Sequence, residues 1–179
     1  MTTQSSTERA GAVTFKGNPM TLVGPEVRVG EPAPEFALTT KDLQRLTLEE
    51  AIDDGARAAL LIVVPSLDTS VCALETQTFH QRVGELPEGV AAFVVSMDLP
   101  FAQQRWANAN GATGLNYLSD YRERSFGPAY GVLIKELGLL ARSVFVIGRD
   151  RMVAYANVVK EVTEQPDYDA VFAAVKSLR

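Results

Sequence analysis

The chain has 179 residues, 46% of them hydrophobic and 22% charged, the balance of one folded domain with a sizeable core rather than of a disordered chain. With 22 acidic against 17 basic residues the net charge is −5, and no basic cluster interrupts it, which argues against a nucleic-acid or anionic-membrane partner. A single cysteine and a single histidine leave neither a disulfide framework nor a zinc ligand set, and no apolar run approaches the roughly 20 residues that span a bilayer.

Residues 1–10 are rich in Ser and Thr and lack the basic and apolar stretches of a signal sequence, so a cytoplasmic protein is expected. Residues 1–12 are read as a flexible segment and 13–179 as the folded domain. Residues 13–16 and 20–23 alternate around Gly17-Asn18-Pro19 and predict an N-terminal hairpin. A Gly- and Pro-rich connector over 24–34 leads into an extended run at 35–38. Thr47-Leu48-Glu49-Glu50 is a capping box, in which the threonine hydroxyl and a returning Glu50 satisfy the first helical N–H groups; it predicts a short helix through Asp53. Residues 58–64 are continuously apolar, as in a strand buried on both faces of a sheet.

Directly after this strand comes Pro65-Ser66-Leu67-Asp68-Thr69-Ser70-Val71-Cys72, which holds the one cysteine. A lone free cysteine is most often a small buried hydrophobe. In the first turn of a helix, however, unpaired N–H groups and the positive end of the helix dipole face its sulfur, and both favour the thiolate, the nucleophilic form. Thr69, one turn earlier, can orient the sulfur and a bound substrate by accepting one hydrogen bond while donating another. Pro65 is either a plain strand terminator or a group that shapes the loop and shields the sulfur from water. Asp68 and Glu75 oppose a thiolate unless they are turned away or paired. His80 lies two turns beyond Cys72, about 12 Å along the helix, and is read as a surface or partner-facing residue.

This helix is predicted to run to about Gly84. A second buried strand covers 90–97, and a helix covers 100–110, with Pro100 near its start and Gly111 just past its end. A short strand is predicted at 115–119. Residues 143–147 and 152–158 flank Gly148-Arg149-Asp150-Arg151 as a second hairpin, and Asp167 caps an amphipathic helix through Leu178. Strand, helix, strand, helix, hairpin, helix is the thioredoxin-like order of an α/β fold, with a central mixed sheet flanked by helices. In such a sheet Arg142, immediately before the first hairpin strand, falls near the Cys72 loop, where a guanidinium would stabilise a thiolate and offer hydrogen bonds to a bound substrate. Without its neighbours it would read as a surface arginine at a strand end.

Pro65-x-x-x-Thr69-x-x-Cys72 with a distant Arg142 resembles the active site of the peroxiredoxins. Val13-Thr14-Phe15-Lys16-Gly17-Asn18-Pro19, Asp98-Leu99-Pro100-Phe101-Ala102-Gln103, Ala129-Tyr130-Gly131-Val132 and Pro166-Asp167-Tyr168 extend the resemblance to the bacterial thiol peroxidase subfamily. The resemblance implies a thioredoxin-fold homodimer that reduces hydrogen peroxide and organic hydroperoxides without a metal or organic cofactor. Cys72 would be the peroxidatic cysteine, Thr69 and Arg142 would position the peroxide, and Pro65 would shield the site. The subfamily closes a disulfide with a second cysteine at a position occupied here by Ala107. The sulfenic acid of a one-cysteine chain must therefore be resolved by thioredoxin, by another thiol reductant, or by a second chain.

Trp106, beside Ala107, reads as a core or interface aromatic or as the apolar wall of a hydroperoxide site. Phe79, Phe101, Tyr130 and Tyr155 line a groove or fill the core. A redox sensor with little turnover, and an interaction module with an inert Cys72, are the alternatives to a peroxidase.

Overall fold

A computed structural model describes residues 7–53 and 55–178. In chain order it contains β1 (Glu8–Phe15), β2 (Asn18–Val23), β3 (Ala37–Thr39), β4 (Arg45–Thr47) and α1 (Leu48–Asp53). β5 (Ala58–Val63), α2 (Ser70–Gln81), β6 (Val90–Ser96), α3 (Pro100–Ala109) and β7 (Asn116–Ser119) follow. The chain closes with α4 (Phe126–Ala129), β8 (Leu133–Ile134), β9 (Leu139–Leu140), β10 (Ser143–Gly148), β11 (Val153–Val158) and α5 (Tyr168–Lys176).

The central sheet has the order β11-β10-β5-β6-β7-β3-β4. β5 and β6 are parallel, as are β6 and β7, while β10 and β3 join antiparallel on either side, giving the mixed sheet expected from sequence. β5 is an interior strand, between β10 and β6, and all six of its residues are buried, because apolar side chains leave on both faces. Ala59, Leu61 and Val63 enter a cluster with Phe36, Phe126, Tyr130 and Phe145. Leu60 and Ile62 enter the opposite cluster with Cys72, Phe79, Val171 and Phe172. Helices α2 and α5 therefore cover one face. The other is covered by α1, α4 and a small sheet of order β1-β2-β8-β9.

The N-terminal hairpin forms, with two differences from the sequence reading. Its turn is Lys16-Gly17, both at positive φ (50° and 78°), so that Phe15 faces Asn18 and Pro19 lies within β2. This pair of positive φ angles matches the right-handed strand twist. β1 also begins at Glu8, so five residues of the segment read as flexible belong to the strand; Glu8 and Arg9 pair with Val23 and Leu22, the register shifts between Arg9 and Val13, and Arg9 donates to the Gly24 and Gly131 carbonyls. Residues 1–6 lie outside the described residues.

The capping box is present, with Thr47 N and Oγ1 donating to Glu50 Oε2 and Glu50 N donating to Thr47 Oγ1. The helix expected to reach Gly84 ends at Gln81 and continues as a 3₁₀ turn over Val83–Glu85. The strands β4, β8 and β9 and the one-turn helix α4 were not anticipated. They are two to four residues long, too short to show a period.

Candidate active site

Because β5 and β6 are parallel, their C-terminal ends share one edge of the sheet, and both α2 and α3 start there. The β5–α2 loop, residues 64–69, carries the chain from the buried Pro65 to Thr69. Thr69 is the N-cap of α2, in extended conformation, and its hydroxyl accepts from Cys72 N at 3.4 Å. The same hydroxyl donates to the Ser66 carbonyl at 3.0 Å. A hydroxyl has one proton, so Thr69 Oγ1 is left as an acceptor on the side that faces the Cys72 turn.

Cys72 is 1% exposed. Ser143 pairs with Val63, which puts Arg142 one step further on, beside the start of the Pro65 loop. Its guanidinium reaches the helix: Nη2 donates to Cys72 Sγ at 3.2 Å, Nη1 pairs with Glu75, and Nε donates to the Val162 carbonyl at 2.9 Å. An arginine fork thus joins the sulfur and a carboxylate one turn further along the same helix.

Arg142 and Glu75 are both fully enclosed. Burial pushes the Glu75 carboxyl up to about 7, against the pull of Arg142. Burial also opposes the charge of Arg142, but the facing Glu75 and Cys72 outweigh it and raise its pKa. A charged donor held in a dry site acts on the sulfur with little screening. Of the two acidic neighbours that oppose a thiolate, Glu75 is neutralised by Arg142 and Asp68 is exposed.

The structure therefore brings Cys72, Thr69 and Arg142 into direct contact and seats Pro65 at the root of their loop. Glu75 was anticipated only as an opposing charge to be turned away or paired. No role was anticipated for Asp98: it accepts from Ser66 Oγ at 2.7 Å and from Leu67 N at 2.8 Å, tying the β5–α2 loop to the end of β6. In sequence it stood out only as the first residue of the block Asp98–Gln103, directly after a buried strand, with nothing to indicate its partners. His80 packs beside Gly114, well down α2 from Cys72.

The aromatic residues separate. Phe79 stacks with Phe172 beneath α2, while Tyr130 stacks on Phe126 on the opposite face of the sheet, so both are core residues. Trp106 packs against Tyr117 and the Cys72 cluster, and Tyr155 against the same cluster. Phe101 is 66% exposed. Ala107 is buried and lines a cleft of about 620 Å³ between α3, β7 and the turn after β3, together with Lys41, Leu46, Leu115 and Tyr117.

A thioredoxin-like sheet in which a buried interior strand delivers a buried thiol to a helix N-terminus, against an arginine and a threonine cap, defines a thiol-based redox protein of peroxiredoxin type. Comparison with known proteins agrees. The AhpC/TSA family model matches residues 29–156. Thiol peroxidase of Halalkalibacterium halodurans is 48% identical over 93% of this chain and 98% of its own, and thiol peroxidase of Bacillus subtilis is 46% identical over 93% and 97%. The crystal structure of a peroxiredoxin-like protein from Aquifex aeolicus superimposes with a TM-score of 0.86 at 46% identity, over 95% of this chain and 98% of that one. The chain belongs to the AhpC/TSA family.

Proposed function

We propose that this protein is a thiol-dependent peroxidase in which Cys72 reduces hydroperoxides and an external thiol completes the cycle. The observation that carries the reading is the Arg142 fork, which holds Cys72 Sγ at 3.2 Å inside a buried site. Thiol peroxidase relatives above 40% identity support the same chemistry.

The Cys72 thiolate attacks the terminal oxygen of ROOH. An S–O bond forms as the O–O bond breaks, and the alkoxide leaves as ROH after taking up a proton, with the sulfur oxidised to sulfenic acid. Arg142 lies beside the attacking sulfur, where its remaining N–H bonds stabilise charge growing on the departing oxygen. The acceptor side of Thr69 Oγ1 receives the hydrogen bond of the peroxide O–H and fixes its approach. Pro65 brings no N–H to the loop root and keeps water from the sulfur.

An external thiolate then attacks the sulfenic sulfur, releasing water and leaving a mixed disulfide that a second thiol opens. Thioredoxin, with two thiols, supplies both steps. A cytoplasmic setting, where such reductants are abundant, belongs to the same reading. So does a homodimer. Leu74, Leu99 and Phe101 are large, apolar and half exposed or more, and all follow strand ends at the sheet edge that carries Cys72.

Steady-state peroxide consumption tests the function. The expected result is sustained turnover with thioredoxin and its reductase, and one equivalent consumed without a reductant. A single equivalent consumed even with reductants present would favour the sensor reading.

A further inference from the structure

Asp98 sits on a scaffold that no catalytic role of Cys72, Thr69 or Arg142 explains. Its backbone is fixed from two strands: Asp98 N donates to Ser96 Oγ at 3.3 Å, and Ser119 Oγ donates to the Asp98 carbonyl at 2.5 Å. Its carboxylate is fixed as well. Ser96 Oγ donates to Oδ2 at 2.8 Å, and Ser96 is held in turn by Gln103 Nε2 at 3.0 Å. Ser96, Ser119 and Gln103 are at most 1% exposed. What remains of the carboxylate faces the β5–α2 loop, taking the Ser66 hydroxyl proton on Oδ1 and the Leu67 N–H on Oδ2.

These two bonds begin a run of oriented donors along the loop to Thr69. With its proton given to Asp98, Ser66 Oγ accepts from Asp68 N at 3.2 Å, which tightens the turn. The turn aims the Ser66 carbonyl at Thr69, where it accepts both Thr69 N at 3.2 Å and Thr69 Oγ1 at 3.0 Å. That second bond spends the only hydroxyl proton of Thr69, so its lone pairs point toward Cys72 N and the approaching peroxide. A carboxylate suits this place because it only accepts. A group able to donate would leave the orientation of Ser66, and hence of Thr69, undetermined.

We propose that Asp98 is a positioning residue for peroxide reduction, an anchor that acts through Ser66 on the Thr69 hydroxyl and keeps the loop closed over Cys72. This rests on the reading of Cys72 as the peroxidatic thiol. Peroxide oxidation needs both the sulfur and an oriented Thr69, whereas alkylation by a small haloacetamide needs only the sulfur. The anchor therefore controls the ratio of the two rates.

The test measures both rate constants on the reduced full-length protein, by rapid mixing with hydrogen peroxide and by iodoacetamide labelling. Asp98→Ala should slow oxidation about tenfold to a hundredfold, the usual cost of a misplaced reacting group, with labelling unchanged or faster. Ser66→Ala, which leaves Asp98 in place and removes the hydroxyl's two hydrogen bonds, to Asp98 Oδ1 and from Asp68 N, should shift the ratio in the same direction by roughly twofold to tenfold. It keeps the test informative if Asp98→Ala does not fold. Asp98→Asn, with one acceptor oxygen left, should fall between the wild type and Asp98→Ala. Parallel loss of both rates, or an unchanged oxidation rate in Asp98→Ala and Ser66→Ala, would overturn the anchor. Failure of the unmodified protein to be oxidised would instead remove the peroxidase reading, and the anchor with it.

Discussion

Helices α2 and α3 leave the same edge of the same sheet, after adjacent parallel strands, and carry opposite chemistry. The first turn of α2 has a side-chain cap, a buried sulfur and an ion pair one turn on, with Thr69, Cys72, Glu75 and Arg142 bonded to one another. The first turn of α3 has Pro100 at its start and no side-chain cap. Further along α3, the buried Ala107 presents a methyl group to a cleft. Buried polar groups are kept where they are paired and have a task. On the proposed function, the oxidation half of the cycle falls to α2 and the resolving half to another molecule. Asp98, at the entrance to α3, supports the loop of α2 instead of a chemistry of its own.

Substitutions on α2 and its partners test that division, starting with the largest effect. Cys72→Ser should abolish peroxide reduction, and residual activity near wild type would refute the assignment. Arg142→Ala should slow sulfenic-acid formation by on the order of 10²–10³-fold, since a preorganised donor at the reacting centre is lost. It also leaves Glu75 as an uncompensated buried carboxyl, at a cost of about 3–5 kcal/mol, which denaturant unfolding would register. Thr69→Val should cost about 10²-fold in the oxidation step and roughly 1 kcal/mol through the lost N-cap. Thr69→Ser, with the hydroxyl retained, should restore most of both; a wild-type oxidation rate in Thr69→Val would reduce Thr69 to a helix cap.

The effect furthest from the chemistry concerns Glu75 and is read from stability against pH. Its pKa is raised from 4.5 to about 7 by burial, so the folded chain holds this proton more tightly than the unfolded chain. The contribution of Glu75 to stability is greatest below 4.5, declines as the pH rises from 4.5 to about 7, and is flat above. Glu75→Gln should remove that decline. Denaturation midpoints measured across this range that keep the wild-type slope would assign it to other groups.

The thiol end of α2 was largely legible in the sequence, and the reason is local. An all-apolar strand, a proline, a threonine three residues before a cysteine and a helix start are features of one short segment, and the buried run of β5 fixes which sheet position they occupy. Arg142 was reached through topology, because the strand it precedes pairs with β5 in the register Ser143 to Val63. Asp98 escaped because its partners, Ser66 and Leu67, are some thirty residues away and carry no periodic signal. The hairpin turn was misplaced by one residue, since Gly17-Asn18-Pro19 offered the stronger turn composition while Lys16 took the positive φ. Strands β8 and β9 derive their order from pairing beside β2 in the small sheet, and helix α4 from packing into the core that sheet covers, neither of which a short window of sequence displays.

The most direct measurement is intact-mass spectrometry of the reduced protein after one equivalent of peroxide, quenched from milliseconds to seconds in the presence of a sulfenic-acid trap. The account predicts rapid formation of a single adduct, mapped to Cys72, and none in Cys72→Ser. A thiol still free after minutes of exposure would contradict it and leave a peroxiredoxin scaffold without peroxidase chemistry.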